Sequence, residues 1–181
     1  MAKNGFTMSK RLNVESITDT GSGNARTDQT VKNLNALDCG KTLLLATSGN
    51  VKLTLPSASV DNGTHGVEAA GWNIEIRFTK DAAVADDNNI TFQVDTEYDL
   101  VANNTDTIDG MIVAGDKEAI ASQEVIFFTG SGTNNQVIMK SDTGYAKGTH
   151  LRFYTAADGV WHVDGTALMT GTLATPFATE S

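Results

Sequence analysis

The stretch Gly148-Thr149-His150-Leu151-Arg152-Phe153-Tyr154-Thr155-Ala156-Ala157-Asp158-Gly159-Val160-Trp161-His162-Val163 decides the fold. Two runs of alternating apolar and polar residues flank an Asp-Gly pair, the pattern of two strands joined by a tight turn. The core faces of paired strands must coincide, because a slip of one residue turns every side chain over. Phe153 must therefore share a face with Trp161 and Val163. A three-residue loop, Ala157-Asp158-Gly159, with Gly159 in the left-handed region, gives that register. It sets Phe153 against Val163, Thr155 against Trp161 and, on the outer face, Tyr154 against His162. A two-residue Asp-Gly turn would set Tyr154 against Val163, core opposite solvent. In the preferred register His150 lies near residue 166, several positions from His162, so the hairpin carries no two-histidine metal site.

A second strand, turn, strand signal lies upstream. Asp38-Cys39-Gly40 precedes the run 41–46, Ser48-Gly49-Asn50 follows, and Val51-Lys52-Leu53-Thr54-Leu55-Pro56 closes it. It reads as the opening hairpin of the module that the first stretch closes. Pro56 ends a strand, where its missing donor does no harm.

The same period of two runs through the chain from Val31 onward. Trp72, Ile74, Ile76 and Phe78 alternate with Asn73, Glu75 and Arg77, and Ile90, Phe92 and Val94 alternate with Thr91 and Gln93. Strict alternation puts one face in a core and one in water, as antiparallel sheets do. Val125-Ile126-Phe127-Phe128 is apolar on both faces and reads as a central strand, or one covered by a neighbour. Further strands are expected at 41–46, 107–113 and 136–139, and weak helical character at 116–123. Between the strands lie clusters of Gly, Asn and Asp, residues that tolerate positive φ or bond their own backbone. About ten short strands at this spacing predict an all-β fold, an antiparallel β-sandwich or jelly-roll-like barrel. The expected core is Leu53, Leu55, Trp72, Ile74, Ile76, Phe92, Phe127, Phe153, Trp161 and Val163. No fixed-period repeat is visible, so a solenoid is not expected.

Charge divides the chain. The 181 residues carry 13 Lys and Arg against 22 Asp and Glu, a net charge of −9. Residues 1–30 hold Lys3, Lys10, Arg11 and Arg26 against Glu15, Asp19 and Asp28, net +1, leaving −10 for the rest. An acidic body argues against nucleic acid as partner, since phosphate binding needs a concentrated basic face. Residues 1–30 read as an N-terminal arm, 31–165 as the body and 166–181 as a C-terminal tail. Phe6, Met8, Leu12, Val14 and Ile17 give the arm apolar anchors that a pure spacer would lack. No run reaches the ~18 apolar residues of a membrane span, and the N-terminus lacks the apolar region of a signal peptide. No membrane partner is expected, and cytosolic assembly is allowed.

Nothing in the chain forms a motif for chemistry. Cys39 is the one cysteine, so no internal disulfide forms, and it reads as a small apolar group packed beside Gly40. His65, in an Asn-Gly-Thr-His-Gly loop, reads as solvated, and no zinc-ligand spacing occurs. Asp81, Asp86, Asp87, Asp95, Glu97, Asp99, Asp106 and Asp109 match no calcium loop and read as an acidic rim. Gly21-Ser22-Gly23 and Gly130-Ser131-Gly132 lack the Lys-Ser/Thr and helix of a phosphate loop. Tyr98, Tyr145 and Tyr154, if exposed, could stack on sugars, though scattered aromatics are more often ordinary surface. No catalytic residue, metal or cofactor is assigned, and the reading is of a non-enzyme.

Leu37-Asp38-Cys39-Gly40-Lys41, the run 51–56, Gly71-Trp72-Asn73-Ile74-Glu75-Ile76, Asn89-Ile90-Thr91, Ile108-Asp109-Gly110 and the closing hairpin together resemble small β-rich virion proteins of tailed bacteriophages. In these proteins a related pattern recurs in head-decoration (cement) proteins and in fibre or appendage modules. The resemblance covers about 31–165 and rests on turn and core residues. It implies a β-sandwich or jelly-roll-like body, no catalysis and trimeric assembly. On that footing the chain is expected to be a capsid decoration protein on the head exterior. It would be a homotrimer whose partner is the major capsid protein, gripped by Phe6, Met8, Lys10, Arg11, Leu12, Val14 and Ile17 of the arm. The alternative is a head-fibre or tail-fibre module that binds host glycans through aromatic and acidic residues in a loop-lined groove.

Overall fold

The computed structural model describes residues 14–17, 30–34, 38–46, 50–58, 71–81, 89–94, 106–117, 125–140, 143–157, 159–169 and 173–179. They form β1 (Val14–Ile17), β2 (Thr30–Asn33), β3 (Thr42–Leu45), β4 (Val51–Leu55), β5 (Asn73–Phe78) and β6 (Ile90–Val94). These are followed by β7 (Thr107–Asp116), β8 (Val125–Thr129), β9 (Gln136–Met139), β10 (His150–Ala157), β11 (Val160–Met169) and β12 (Phe177–Ala178). The chain is all-β. A larger sheet has the order β1-β3-β5-β10-β11-β7-β8, and a smaller one β12-β9-β6-β4-β2. Neither closes into a barrel.

The pairing is mixed, which corrects the antiparallel expectation. β1, β3 and β5 run parallel in the larger sheet, β2, β4 and β6 run parallel in the smaller, and β7 runs parallel to β11. The first six strands alternate between the two sheets, so the chain winds through three successive coils and each strand pairs with the one two places on. This is solenoid-like winding, contrary to expectation. Its offsets are irregular, which hides the repeat. They are 28 and 33 residues on the larger sheet (Val14 to Thr42 to Glu75), and 21 and 39 on the smaller (Thr30 to Val51 to Ile90).

The opening hairpin is likewise corrected. β3 and β4 do not pair; they lie in different sheets, with Leu43 and Leu45 of one and Val51, Leu53 and Leu55 of the other buried in the same core. Bonds at the strand ends tie each to its next coil. Gly40 N donates to Asn73 O (2.7 Å) and Glu75 N to Lys41 O (3.0 Å). On the other sheet, Val51 N donates to Asn89 O (2.9 Å) and Asn89 N to Asn50 Oδ1 (2.6 Å). Alternation states which face of a strand is buried and leaves its neighbour open.

The closing hairpin has the register argued above: Phe153 opposes Val163, Tyr154 opposes His162, Thr155 opposes Trp161 and His150 opposes Thr166. The route to it differs. Ala157 pairs with Val160, and the odd residue is absorbed by a bulge between Thr155 and Ala157 rather than by a longer loop. Gly159 has φ +72°, in the left-handed region.

β10 and β11 complete the larger sheet beside β5, and β9 and β12 extend the smaller beside β6. One cluster of apolar side chains fills the space between the sheets. It includes Leu53, Leu55, Trp72, Ile74, Ile76, Phe92, Phe153, Trp161 and Val163. Phe92 from the smaller sheet meets Phe153 from the larger with ring centroids 4.8 Å apart, and Trp72 sits edge-on to Trp161 at 4.9 Å. Fully burying one such side chain stabilises the fold by roughly 1.5–3 kcal/mol.

Four expectations change here. Phe127 is not core: it is 62% exposed, because β8 is the edge of the larger sheet and only Ile126 and Phe128 turn toward the core side. Cys39 is exposed in its turn, its thiol 3.9 Å from Gly71 O, rather than packed away. Val14 and Ile17, read as arm anchors, lie on β1, which is bonded to β3 as part of the larger sheet. The tail also belongs to the body: β11 runs on to Met169, and Phe177 on β12 is buried beside β9.

Candidate functional site

The outward surface of the larger sheet carries its most distinctive chemistry. Cross-strand partners share a face, so the pairing register sets out rows of side chains. One row runs Asn73, Tyr154, His162, Asp109 across β5, β10, β11 and β7; the next runs Glu75, Arg152, Asp164, Met111, Thr129; a third runs Arg77, His150, Thr166, Val113, Phe127.

The β5–β10–β11 part of this face is polar and internally paired. Tyr154 and His162 stack with centroids 5.5 Å apart and planes 21° from parallel, and the Arg152 guanidinium lies 5.2 Å from the Tyr154 ring centre. Glu75 accepts a bond from Thr42 Oγ1 (3.3 Å), lies 3.5 Å from the Arg77 guanidinium and 3.8 Å from His150 Nε2. Arg152 stands opposite both Asp164 and Glu75. Charges of both signs alternate here, and the aromatic surface of Tyr154 is engaged by its neighbours.

Beyond Asp109, the β7–β8 part of the same face carries no ionisable group. Met111 (45% exposed), Val125 (59%) and Phe127 (62%) are the exposed large apolar residues among the described residues. Val113, Gly115 and Thr129 fill the positions between them. β8 is bonded to β7 along one side and has no strand on its other side among the described residues.

The candidates from sequence are scattered. Of the arm residues, Val14 and Ile17 lie in β1, at the edge of the sheet opposite β8; Phe6, Met8, Lys10, Arg11 and Leu12 lie outside the described residues. Tyr145 is buried against Phe78, so it presents no sugar-stacking surface, and Tyr98 and His65 lie outside the described residues. Of the acidic rim, Asp106 is buried and accepts bonds from Ser57 Oγ (3.0 Å) and Ala58 N (2.6 Å), and Asp109 accepts from Gly110 N (2.7 Å). Asp81 takes the Lys117 ammonium and the Lys147 amide (2.9 Å); the Lys117 bond first, and the Lys147 amide second, hold its carboxyl below the usual range. The other five acids lie outside the described residues. Among the described residues no three His, Cys, Asp or Glu side chains gather to hold a metal, and no helix is long and apolar enough to cross a membrane.

The arrangement is suited to broad surface contact rather than to enclosing a small molecule. Sequence reading missed the apolar part of the face. The signal was present in Val125-Ile126-Phe127-Phe128, which alternation could not place at an edge. No protein-family model, curated protein or solved structure matches the chain.

Proposed function

We propose that the chain is a structural protein of a tailed-bacteriophage virion: a capsid decoration protein that binds the head exterior as a homotrimer and clamps neighbouring major capsid subunits. The observation that carries this reading is the outer face of the larger sheet, where an uncharged apolar strip stands exposed on an otherwise acidic body, as protein-binding surfaces do. The motifs behind the phage resemblance support it, since 51–56, 71–76, 89–91, 108–110 and the closing hairpin fall on strands or strand ends that share one core. In this reading the body is a β-sandwich in which parallel coils stand where a jelly roll would have antiparallel strands. The segment before β1, with Phe6, Lys10, Arg11 and Leu12, is the capsid-gripping arm, adding a strand to an exposed capsid edge. Many weak contacts on one trimer then hold as one.

The test is co-sedimentation with undecorated capsids assembled from the major capsid protein encoded with this chain. Full-length protein is expected to saturate the capsid at a fixed stoichiometry, and a chain lacking residues 2–13 to lose most of that occupancy. Unchanged occupancy of the shortened chain removes the arm from the proposal, and absence of binding by the full chain removes the function.

A further inference from the structure

We infer that the outer face of β7 and β8, centred on Phe127, is a seam between copies of this chain. β8 reads Val125-Ile126-Phe127-Phe128, apolar on both faces, the pattern of a strand with cover on each side. Among the described residues it is the edge strand of the larger sheet, with Val125 and Phe127 more than half exposed. The strand has the composition of an interior position without the neighbours of one.

Among the described residues nothing covers this edge. Exposed edge strands are usually blunted by a charge, a proline or a bulge, because their unpaired N–H and C=O groups invite another chain. Val125–Thr129 contains no charge and no proline, and its register with β7 is unbroken from Met111 to Gly115. Such an edge is retained where pairing is useful.

Charge selects the occupant. At −9 the chain repels its own copies over most of its surface. Met111, Val113, Gly115, Val125, Phe127 and Thr129 include no ionisable group; Asp109 lies at the far end of β7, held by Gly110 N, and Asp164 and Arg152 stand in the neighbouring strands of the same face. This is a patch on which two acidic copies approach without bringing carboxylates together, and it offers no charge by which a different partner would be selected. A second copy of the same face supplies the apolar complement. Met111, Val125 and Phe127 alone fall short of the ~800 Å² per partner of a standard interface, so the open edge of β8 and its rim join them. The seam does not depend on the capsid reading; only the number of copies, three, rests on it, the faces then meeting about the threefold axis.

The experiment is the mass of the full-length chain in solution, measured by light scattering over a dilution series, for the wild type, Phe127→Glu and Val125→Lys. The wild type is expected as an oligomer, and both variants as monomers with the wild-type circular dichroism spectrum. A wild type that is monomeric throughout, or folded variants that keep the oligomeric mass, overturns the seam. Should the charged variants unfold, Phe127→Cys on a Cys39→Ser background replaces them: oxidation links copies if the seam is real, and failure to link overturns it. A monomeric chain whose Phe127 is protected only on capsids gives the face to the capsid, overturning the seam while the capsid reading stands. An oligomer that ignores capsids upholds the seam and overturns the capsid reading.

Discussion

A side chain at position 110 would place its Cβ 2.0 Å from the carbonyl oxygen of Val163, on a backbone with φ +125°. At Gly110 the β11 main chain leaves no room for a Cβ, and no rotamer relieves a clash with main chain. Gly110→Ala is expected to cost about 3 kcal/mol or more, among the largest single-residue effects. Gly115→Ala on the same strand, whose Cβ would meet nothing within 4 Å, is expected to stay near wild type. Chemical denaturation of both variants measures the contrast. The two tryptophans make a second pair. Trp161 Nε1 donates to Pro56 O at 2.9 Å, whereas Trp72 Nε1 is buried with no partner among the described residues. Changing either to Phe removes similar packing, but only at 161 does it also break a bond and orphan a carbonyl. Trp161→Phe is therefore expected to cost about 1 kcal/mol more than Trp72→Phe by the same measurement.

Strands were legible where the information is local. The closing hairpin could be read because an Asp-Gly turn and two alternating runs lie together, and matching Phe153 with Val163 left one acceptable register. The bulge near Ala156 was not legible, since a bulge and a longer loop restore the same faces. The coils were not legible either. β3 pairs with β5 and β4 with β6 across 33 and 39 residues, and no local pattern names so distant a partner. The ends of these elements are tied by side chains, of which Asp81 is an instance, joining the end of β5 to Lys117 after β7 and to the turn before β10. Its folded-state value lies below the ordinary one, so the stabilisation is present in full above an unfolded value of ~3.9 and is lost as pH falls through the lower folded value. Asp81→Asn is expected to lower the melting temperature slightly at pH 7, the loss of stability being no more than ~1 kcal/mol for so exposed a pair. That difference should begin to narrow in melting curves recorded below ~pH 4 and close at still lower pH.

At the scale of the whole molecule, the boundary between arm and body moves. Because β1 covers the edge of β3, removing residues 2–17 strips a strand and is expected to lower the melting temperature further than removing 2–13, which leaves that strand in place. Thermal melting of the two truncations distinguishes these outcomes, and only the shorter one is a fair probe of capsid binding. The candidate surface was half legible: register alone placed Tyr154 across from His162, but the exposure of Phe127 depends on which strand ends the sheet, a property of the assembled molecule and not of any segment. The alternation of the first six strands between sheets has a further consequence. The coils are held by strand-to-strand register, while the crossings between them differ freely in length, five residues from β3 to β4 and seventeen from β4 to β5. Loop closure costs only about 0.6 kcal/mol for each doubling of length. The longer crossing is thus the more tolerant of added residues, since its length does not set the register of the sheets on either side.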